Sequence, residues 1–496
     1  MYMKLLSARQ RAFFQEVARA AFANPFSEER GAVDRALAGE LAAPEDSARV
    51  QQMLAALARE MTALERAGLA ELGAHKGETR ECMRIALLFD AFHRHLAALD
   101  SHIEMQLQLG AEPAPASFAN RVLEDLKRRG FSAAEALHFL AVFFQLRRAF
   151  YFIARGLKGN SASMRLLRER LWQNLFTRDI RWYDRYLSDR MEDFSTLLLG
   201  GTGSGKGAAA AAIGRSGFIP FDPRRGRFKE SFTRAFIAIN LSQFPETLVE
   251  SELFGHRKGS FTGAVEHYEG ILARCSPHGA ILLDEVGDVA PPLQLKLLRV
   301  LQERQFTPVG SHEPQPFRGR VIAATNQPIE ALRRDGRFRD DFYYRLCSDV
   351  IEVPSLAARL RDDTEDLDLL TREIVRRIIG QDAAELADDV RNRIVKAVGP
   401  QYPWPGNVRE LEQAIRQILL TGGYTPQQNA APQADAALVA AWESGTLTAT
   451  ELLAAYCRHL HDQFGTYEEV ARRTRLDRRT VKKYTLAIGA KDGGFR

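Results

Sequence analysis

Leu197, Leu198 and Leu199 run straight into Gly200-Gly201-Thr202-Gly203-Ser204-Gly205-Lys206. An apolar strand that feeds a G-x-x-x-x-G-K loop leaves few folds open. The glycines let backbone N–H groups turn toward phosphate at the start of the next helix, and Lys206 reaches the outer phosphates. Such a strand belongs in a buried parallel sheet with helices on both faces. The surrounding pattern agrees: short apolar runs at 197–199, 236–239, 280–283 and 321–324 alternate with helical stretches. The Ser or Thr that commonly follows the lysine and ligates Mg²⁺ is replaced by Gly207.

Two further strand ends fill out this crevice. Ala280-Ile281-Leu282-Leu283 ends in Asp284-Glu285, and a carboxylate at the carboxyl end of a parallel strand faces the ligand. Asp284 is expected to orient Mg²⁺ and its waters, and Glu285 to polarise a water for attack on the terminal phosphate. Val321-Ile322-Ala323-Ala324 ends in Thr325-Asn326. Asn326 either holds the attacking water or senses the phosphate, or it closes a strand-end turn. Arg339 and Arg345 lie six positions apart. One or both can neutralise charge on a nucleotide bound by a neighbouring subunit, or pair with aspartates on a surface helix.

A chain of 496 residues is too long for one ordinary core. Residues 1–160 read as helical. Val50, Met53, Leu54, Leu57, Met61 and Leu64 recur at helical spacing, and Ser132-Ala133-Ala134-Glu135 is a capping box that opens a second run. That run carries Leu137, Leu140, Phe143, Phe144, Phe150, Tyr151 and Phe152, suited to a bundle core, a small-molecule pocket or a dimer face. The stretch from Arg215 to Arg234 is unusually basic and reads as a long loop before the second strand. Residues 356–420 turn helical again, and 421–433 read as a linker.

After Thr448, one amphipathic helix precedes a second that Thr466 is expected to cap with Glu469. A basic third segment follows. The unit reads as a helix-turn-helix, with Arg478, Arg479, Thr480, Lys482 and Lys483 toward DNA, or as a solvated basic helix. A net charge of +5 permits nucleic-acid contact without requiring it. The apolar run at 139–144 stops at Gln145, Arg147 and Arg148, well short of the ~20 residues that span a bilayer. The start of the chain is charged rather than secretory, and the four cysteines are scattered. A cytoplasmic protein with reduced thiols and no membrane partner is expected.

Between the phosphate loop and the acidic strand end lies Ser251-Glu252-Leu253-Phe254-Gly255-His256-Arg257-Lys258-Gly259-Ser260-Phe261-Thr262-Gly263-Ala264. Phosphate chemistry does not call for a Phe-Thr tip between glycines; contact with another protein does. With this stretch in place, residues from about 163 to 420 resemble the AAA+ domain of bacterial enhancer-binding proteins, the sigma-54-dependent transcriptional activators. Glu252-Leu253-Phe254-Gly255-His256 followed by Gly259 to Ala264 is similar to the family's GAFTGA loop, with Ser260 for the usual Ala.

The resemblance implies roles residue by residue. Gly259, Ser260, Phe261, Thr262, Gly263 and Ala264 would contact sigma-54. Asn240 would be the switch asparagine that holds Glu285 in one nucleotide state. Asp284 and Glu285 look like the Walker B pair, Thr325 and Asn326 like sensor I, Arg339 and Arg345 like arginine fingers. Arg409, in Trp404-Pro405-Gly406-Asn407-Val408-Arg409-Glu410-Leu411, looks like sensor II. Gly200, Gly201, Thr202, Gly203, Ser204, Gly205, Lys206 and Gly207 would hold ATP. The family often has Glu after the lysine, so Gly207 removes a side chain but no hydroxyl that the family relies on. The final segment resembles a Fis-like DNA-binding domain.

The expected architecture is multidomain. An all-α regulatory or sensory domain spans 1–160, an α/β AAA+ P-loop ATPase subdomain 161–355, its helical lid 356–422, a linker 423–447, and a Fis-like helix-turn-helix 448–496. The resemblance implies an ATP- and Mg²⁺-dependent activator that works as a hexameric ring. It would remodel the closed complex of the sigma-54 RNA polymerase holoenzyme from an upstream site on double-stranded DNA. The signal or ligand at residues 1–160 is not legible. The alternative is an AAA+ ATPase that binds DNA but regulates or remodels a different protein.

Overall fold

The computed structural model describes residues 5–39, 43, 46–399, 402–426, 445 and 447–486. The chain divides into two compact units, Met1–Tyr424 and Thr425–Arg496.

The centre of the first unit is a five-stranded parallel sheet. Its spatial order is Phe236–Asn240, Ala280–Asp284, Arg320–Thr325, Thr196–Leu199, Asp349–Glu352. The three middle strands are apolar along nearly their whole length, as strands covered on both faces must be. The fifth strand carries only Val350 and Ile351 between acids, so its apolar signal is too short to stand out in the sequence. The helices Leu356–Asp362, Glu365–Ile379, Ala384–Val398 and Asn407–Thr421 follow with their own core, in which Trp404, Leu411, Ile415 and Ile418 are buried.

The front of the chain is helical: Ala8–Phe22, Glu28–Ala38, Asp46–Ala67, Gly77–Arg94, Leu96–Leu109, Ala119–Arg128 and Ala133–Gly156. The Ser132 capping box forms in full, Glu135 N donating to Ser132 Oγ and Ser132 N to Glu135 Oε2. Ala133–Gly156 is the one described helix long and apolar enough to cross a membrane, and most of it is buried inside the fold.

The stretch from Arg215 to Arg234 is not a plain loop. Phe221–Asp222 and Arg227–Phe228 pair as a small antiparallel hairpin. Its arginines Arg224 and Arg225 stay in solvent, which explains the basic signal, while Phe221, Phe228 and Phe232 join the core of the front helices. The Phe144 and Phe228 rings stack with centroids 4.0 Å apart. Ala116 N donates to Gly226 O and Ser231 Oγ to Gly110 O, so the break after the fifth helix is the hairpin's docking edge.

Arg148, on the last front helix, is fully buried over the Phe144 ring and donates to Arg215 O and Gly217 O at 2.8 and 2.7 Å. These carbonyls follow the helix Lys206–Gly214, where a cation is favoured by the negative end of the helix dipole. Burial pulls the Arg148 pKa down. Packing therefore crosses the expected boundary near residue 160.

The second unit holds three described helices, Ala449–Phe464, Tyr467–Thr474 and Arg478–Leu486, around Cys457, Leu460, Val470 and Val481. The capping box here is Thr448 with Glu451. Thr466 makes no side-chain cap, contrary to expectation, and the carboxylate of Glu469, the other half of the expected box, pairs with Arg472 and Arg473. Most of the expected linker 423–447 and the tail 487–496 lie outside the described residues.

Candidate active site

The phosphate loop is shaped by close approach. A Cβ on Gly203 would lie 2.4 Å from Gly406 O and 2.8 Å from Arg409 Cβ, so only glycine lets the lid lie on the loop. Gly205, left-handed at φ 111°, turns the chain into the helix Lys206–Gly214. Lys206 is only 7% exposed, and its Nζ donates to Gly200 O at 2.8 Å and Gly201 O at 3.2 Å. Burial lowers its pKa, opposed by Glu285 and Asp284, with Arg409 adding to the lowering. The Ser204 hydroxyl is buried with no partner among the described residues. An orphaned donor beside a helix N-terminus and a lysine fits a phosphate. A Cβ on Gly207 would meet open space, so the glycine there is not demanded by sterics.

Sheet register brings the other groups to the same end. Asn240 lies beside Asp284, Asp284 beside Ala324, and Leu199 beside Thr325. Glu285 is left-handed at φ 56°, a conformation costing about 1–3 kcal/mol in a non-glycine residue and concentrated at functional sites. Its Oε2 accepts from Asn326 N at 3.3 Å, and Asn326 Nδ2 donates to Thr202 Oγ1 at 2.8 Å. Asn326 thus ties the acidic strand end to the phosphate loop.

Thr325 is buried and its hydroxyl accepts from Gln327 N, a turn-closing role. The Asn240 side chain accepts from Ser242 N and Ser242 Oγ at 2.9 and 2.8 Å, so its contact with Glu285 is not made in this conformation. Among the described residues no three acids, histidines or cysteines gather as a metal site. A single carboxylate beside a phosphate loop still suits Mg²⁺, which keeps most of its water and phosphate ligands, and Asp284 would supply the protein's share.

Arg409 is exposed and its backbone lies against Gly203. The residue that sequence reading missed is its neighbour Asn407. Asn407 Nδ2 donates to Thr202 O at 3.0 Å, and Val408 N donates to Gly203 O at 3.1 Å. The available signal was an asparagine after Pro-Gly, a residue type that tolerates the left-handed backbone found here at φ 52°.

The two arginines part company. Arg339 is exposed and pairs with Asp341 at 2.7 Å. Arg345 points inward, donating Nε and a terminal nitrogen to Leu301 O at 3.0 and 2.8 Å near the C-terminus of the helix Pro291–Glu303. Arg345→Ala is expected to cost about 1–3 kcal/mol of stability, from hydrogen bonds to a charged donor. Arg339→Ala should stay within about 0.5 kcal/mol. Thermal melts of the two variants check this; equal melting temperatures would remove the in-chain role of Arg345.

The Phe-Thr loop closes on itself. Gly259 N donates to Ala264 O at 2.8 Å and Ala264 N to Phe261 O at 3.0 Å. Gly259 and Gly263 are both left-handed, which makes the tight tip possible. Phe261 is 38% exposed with its ring edge-on to His256, Thr262 is exposed, and Ala264 is buried. Below the tip, His256 bridges Tyr268 and Val309, and Ser260 presses on Gly310, where a Cβ would lie 2.5 Å from Ser260 Cβ. The loop is thus anchored at its base and presents an aromatic and a hydroxyl to solvent. In the second unit, Arg478, Arg479, Lys482 and Lys483 are exposed on the third helix, Thr480 is half-buried, and Arg478 pairs with Glu468.

Comparison with known proteins agrees with this geometry. Residues 182–352 match the family model of the sigma-54 interaction domain, and residues 361–428 that of the AAA+ ATPase lid domain. The transcriptional regulatory protein GlrR of Escherichia coli (strain K12) is 40% identical over 230 residues, 46% of this chain and 47% of that protein. The sigma54-dependent transcriptional activator SfnR of Pseudomonas putida is 39% identical over 232 residues, 46% of this chain and 57% of its own. The chain thus spans about half the length of the curated relatives it matches. Among solved structures, NtrX from Brucella abortus in complex with ATP matches 74% of this chain and 80% of its own length at 23% identity and a TM-score of 0.40. By its sigma-54 interaction domain and adjoining AAA+ lid, this chain is a relative of the sigma-54-dependent transcriptional activators.

Proposed function

We propose that the protein is an ATPase that spends nucleotide hydrolysis on remodelling sigma-54 RNA polymerase at a promoter. One observation carries the reading: Lys206, Asp284, Glu285 and Asn326 converge on one crevice while the same module holds out the closed Phe261–Thr262 tip. Loop N–H groups, the free Ser204 hydroxyl and Lys206 bind the phosphates, and Arg409 closes on them from the lid. Asp284 would hold Mg²⁺, which would screen phosphate charge when nucleotide is bound. Glu285, fixed by Asn326, orients the attacking water and accepts its proton.

Arg339 is exposed and can answer to a neighbouring subunit's nucleotide in a ring, which we take to be hexameric. Asn240, now held by Ser242, can exchange that partner for Glu285 when the crevice is filled, and the tip moves with it. Arg478, Arg479, Thr480, Lys482 and Lys483 form the DNA-facing side of a helix-turn-helix that binds an upstream site. The test is reconstitution with sigma-54 polymerase on promoter DNA. Hydrolysable ATP should yield open complexes and a non-hydrolysable analogue none. ATP hydrolysis without any opening would point to a different protein target.

A further inference from the structure

Asn407 is 4% exposed, and its amide is shared between two elements. Nδ2 donates to Thr202 O in the phosphate loop, while Oδ1 accepts from Leu356 N at 2.8 Å, where the lid helix Leu356–Asp362 begins. One turn on, Arg359 Nε donates to Asp366 Oδ2 at 3.1 Å and its terminal nitrogen to Lys158 O at 2.7 Å. Asp366 is 0% exposed and also accepts from Asn160 N at 2.5 Å, Ser161 N at 3.3 Å and Ser161 Oγ at 2.9 Å.

Residues 158–161 are the connector between the last front helix, Ala133–Gly156, and the helix Ala162–Phe176. Gly159 is left-handed at φ 138°, and a Cβ there would lie 2.6 Å from both Arg359 and Asp366. The connector is therefore pressed onto the ion pair with no side chain between. A buried ion pair is costly to break on one side, so the start of the lid and the connector are held against each other. The phosphate loop, the lid and the root of the front helices are joined by buried and half-buried polar contacts that meet on the first turn of the helix Leu356–Asp362.

We propose that Asn407, Arg359 and Asp366 are positioning residues that set the lid jointly from the phosphate loop and from the connector 158–161, coupling nucleotide occupancy to the front helices. This rests on the nucleotide reading above. Coupling of this kind is reciprocal: whatever nucleotide does to the connector, a change at the front helices does to nucleotide affinity. A contiguous path alone is not coupling, so the test must read a response at a distance.

The full chain is titrated with a fluorescent non-hydrolysable ATP analogue, and hydrogen exchange of peptides covering 157–163 is followed in the same samples. Wild type should bind, and exchange in the connector should change about fivefold or more on binding. Asn407→Gly keeps the left-handed backbone but loses both amide bonds. It should bind the analogue about tenfold more weakly and lose the connector response at saturation. Asp366→Asn keeps the Asn407 bonds to the phosphate loop, so it should bind within about fivefold of wild type and also lose the response. If Asp366→Asn does not fold, wild type and Asn407→Gly decide. An unchanged connector in wild type that binds the analogue, or a full response in Asn407→Gly, overturns the coupling. Failure of wild type to bind at all overturns the nucleotide reading on which it rests.

Discussion

Glu285→Gln is expected to lower ATP turnover by about 10²–10⁴-fold while leaving nucleotide affinity nearly unchanged. The substitution keeps the side chain's size and leaves an oxygen to accept from Asn326 N. On the proposed mechanism it removes the group that takes the proton from water. Loss of affinity without loss of turnover would move the base elsewhere. Lys206 serves as the contrast, because its nitrogen already lies in the loop on Gly200 O and Gly201 O and its loss should strike binding first. Steady-state kinetics beside equilibrium binding of the same analogue separate the two.

Phe144→Ala should destabilise the first unit by about 3–5 kcal/mol, the cost of removing a buried aromatic from a packed core. Phe144 is 1% exposed, stacks on Phe228 of the hairpin, and lies under the Arg148 guanidinium. Its loss would strip the front helices from the hairpin and from the end of the Lys206–Gly214 helix together. Scanning calorimetry of the variant should therefore show one lowered transition for residues 1–424. Two separated transitions, with the parallel-sheet domain melting as in wild type, would mean that the front helices are a detachable module.

That shared core is the part least legible in the sequence. The phosphate loop, the acidic strand end and the Phe-Thr tip each advertise themselves, because phosphate cradles and tight tips need glycines at fixed spacing. Four of the five parallel strands show as apolar runs for the same reason they are buried. The hairpin does not, because Phe221, Phe228 and Phe232 are spread among arginines and an aspartate that face solvent. A periodicity of two needs more than two residues per strand to be seen.

Side-chain engagement is likewise not written in spacing. Arg339 and Arg345 look alike in the sequence, yet one is in solvent and the other is bound to Leu301 O. The resemblance gives Asn240 a contact with Glu285, but at the strand end beside Asp284 its side chain takes Ser242 as partner. Thr466 and Glu469 have capping-box spacing, and two nearby arginines win the carboxylate. In each case the deciding neighbour lies outside the motif. Asn407 was hidden for a different reason: its role depends on Thr202 and Leu356, which lie 205 and 51 positions away along the chain.

The central claim is that hydrolysis in the crevice acts through the exposed tip. Thr262→Ala removes one solvent-facing hydroxyl and leaves the loop's backbone closure from Gly259 to Ala264 in place. The decisive measurement follows ATP hydrolysis and promoter opening by sigma-54 polymerase in the same reaction, for wild type and Thr262→Ala. The variant should hydrolyse ATP within about twofold of wild type, as expected for a surface change away from the crevice, and open no promoter. Equal opening by both proteins would contradict the claim.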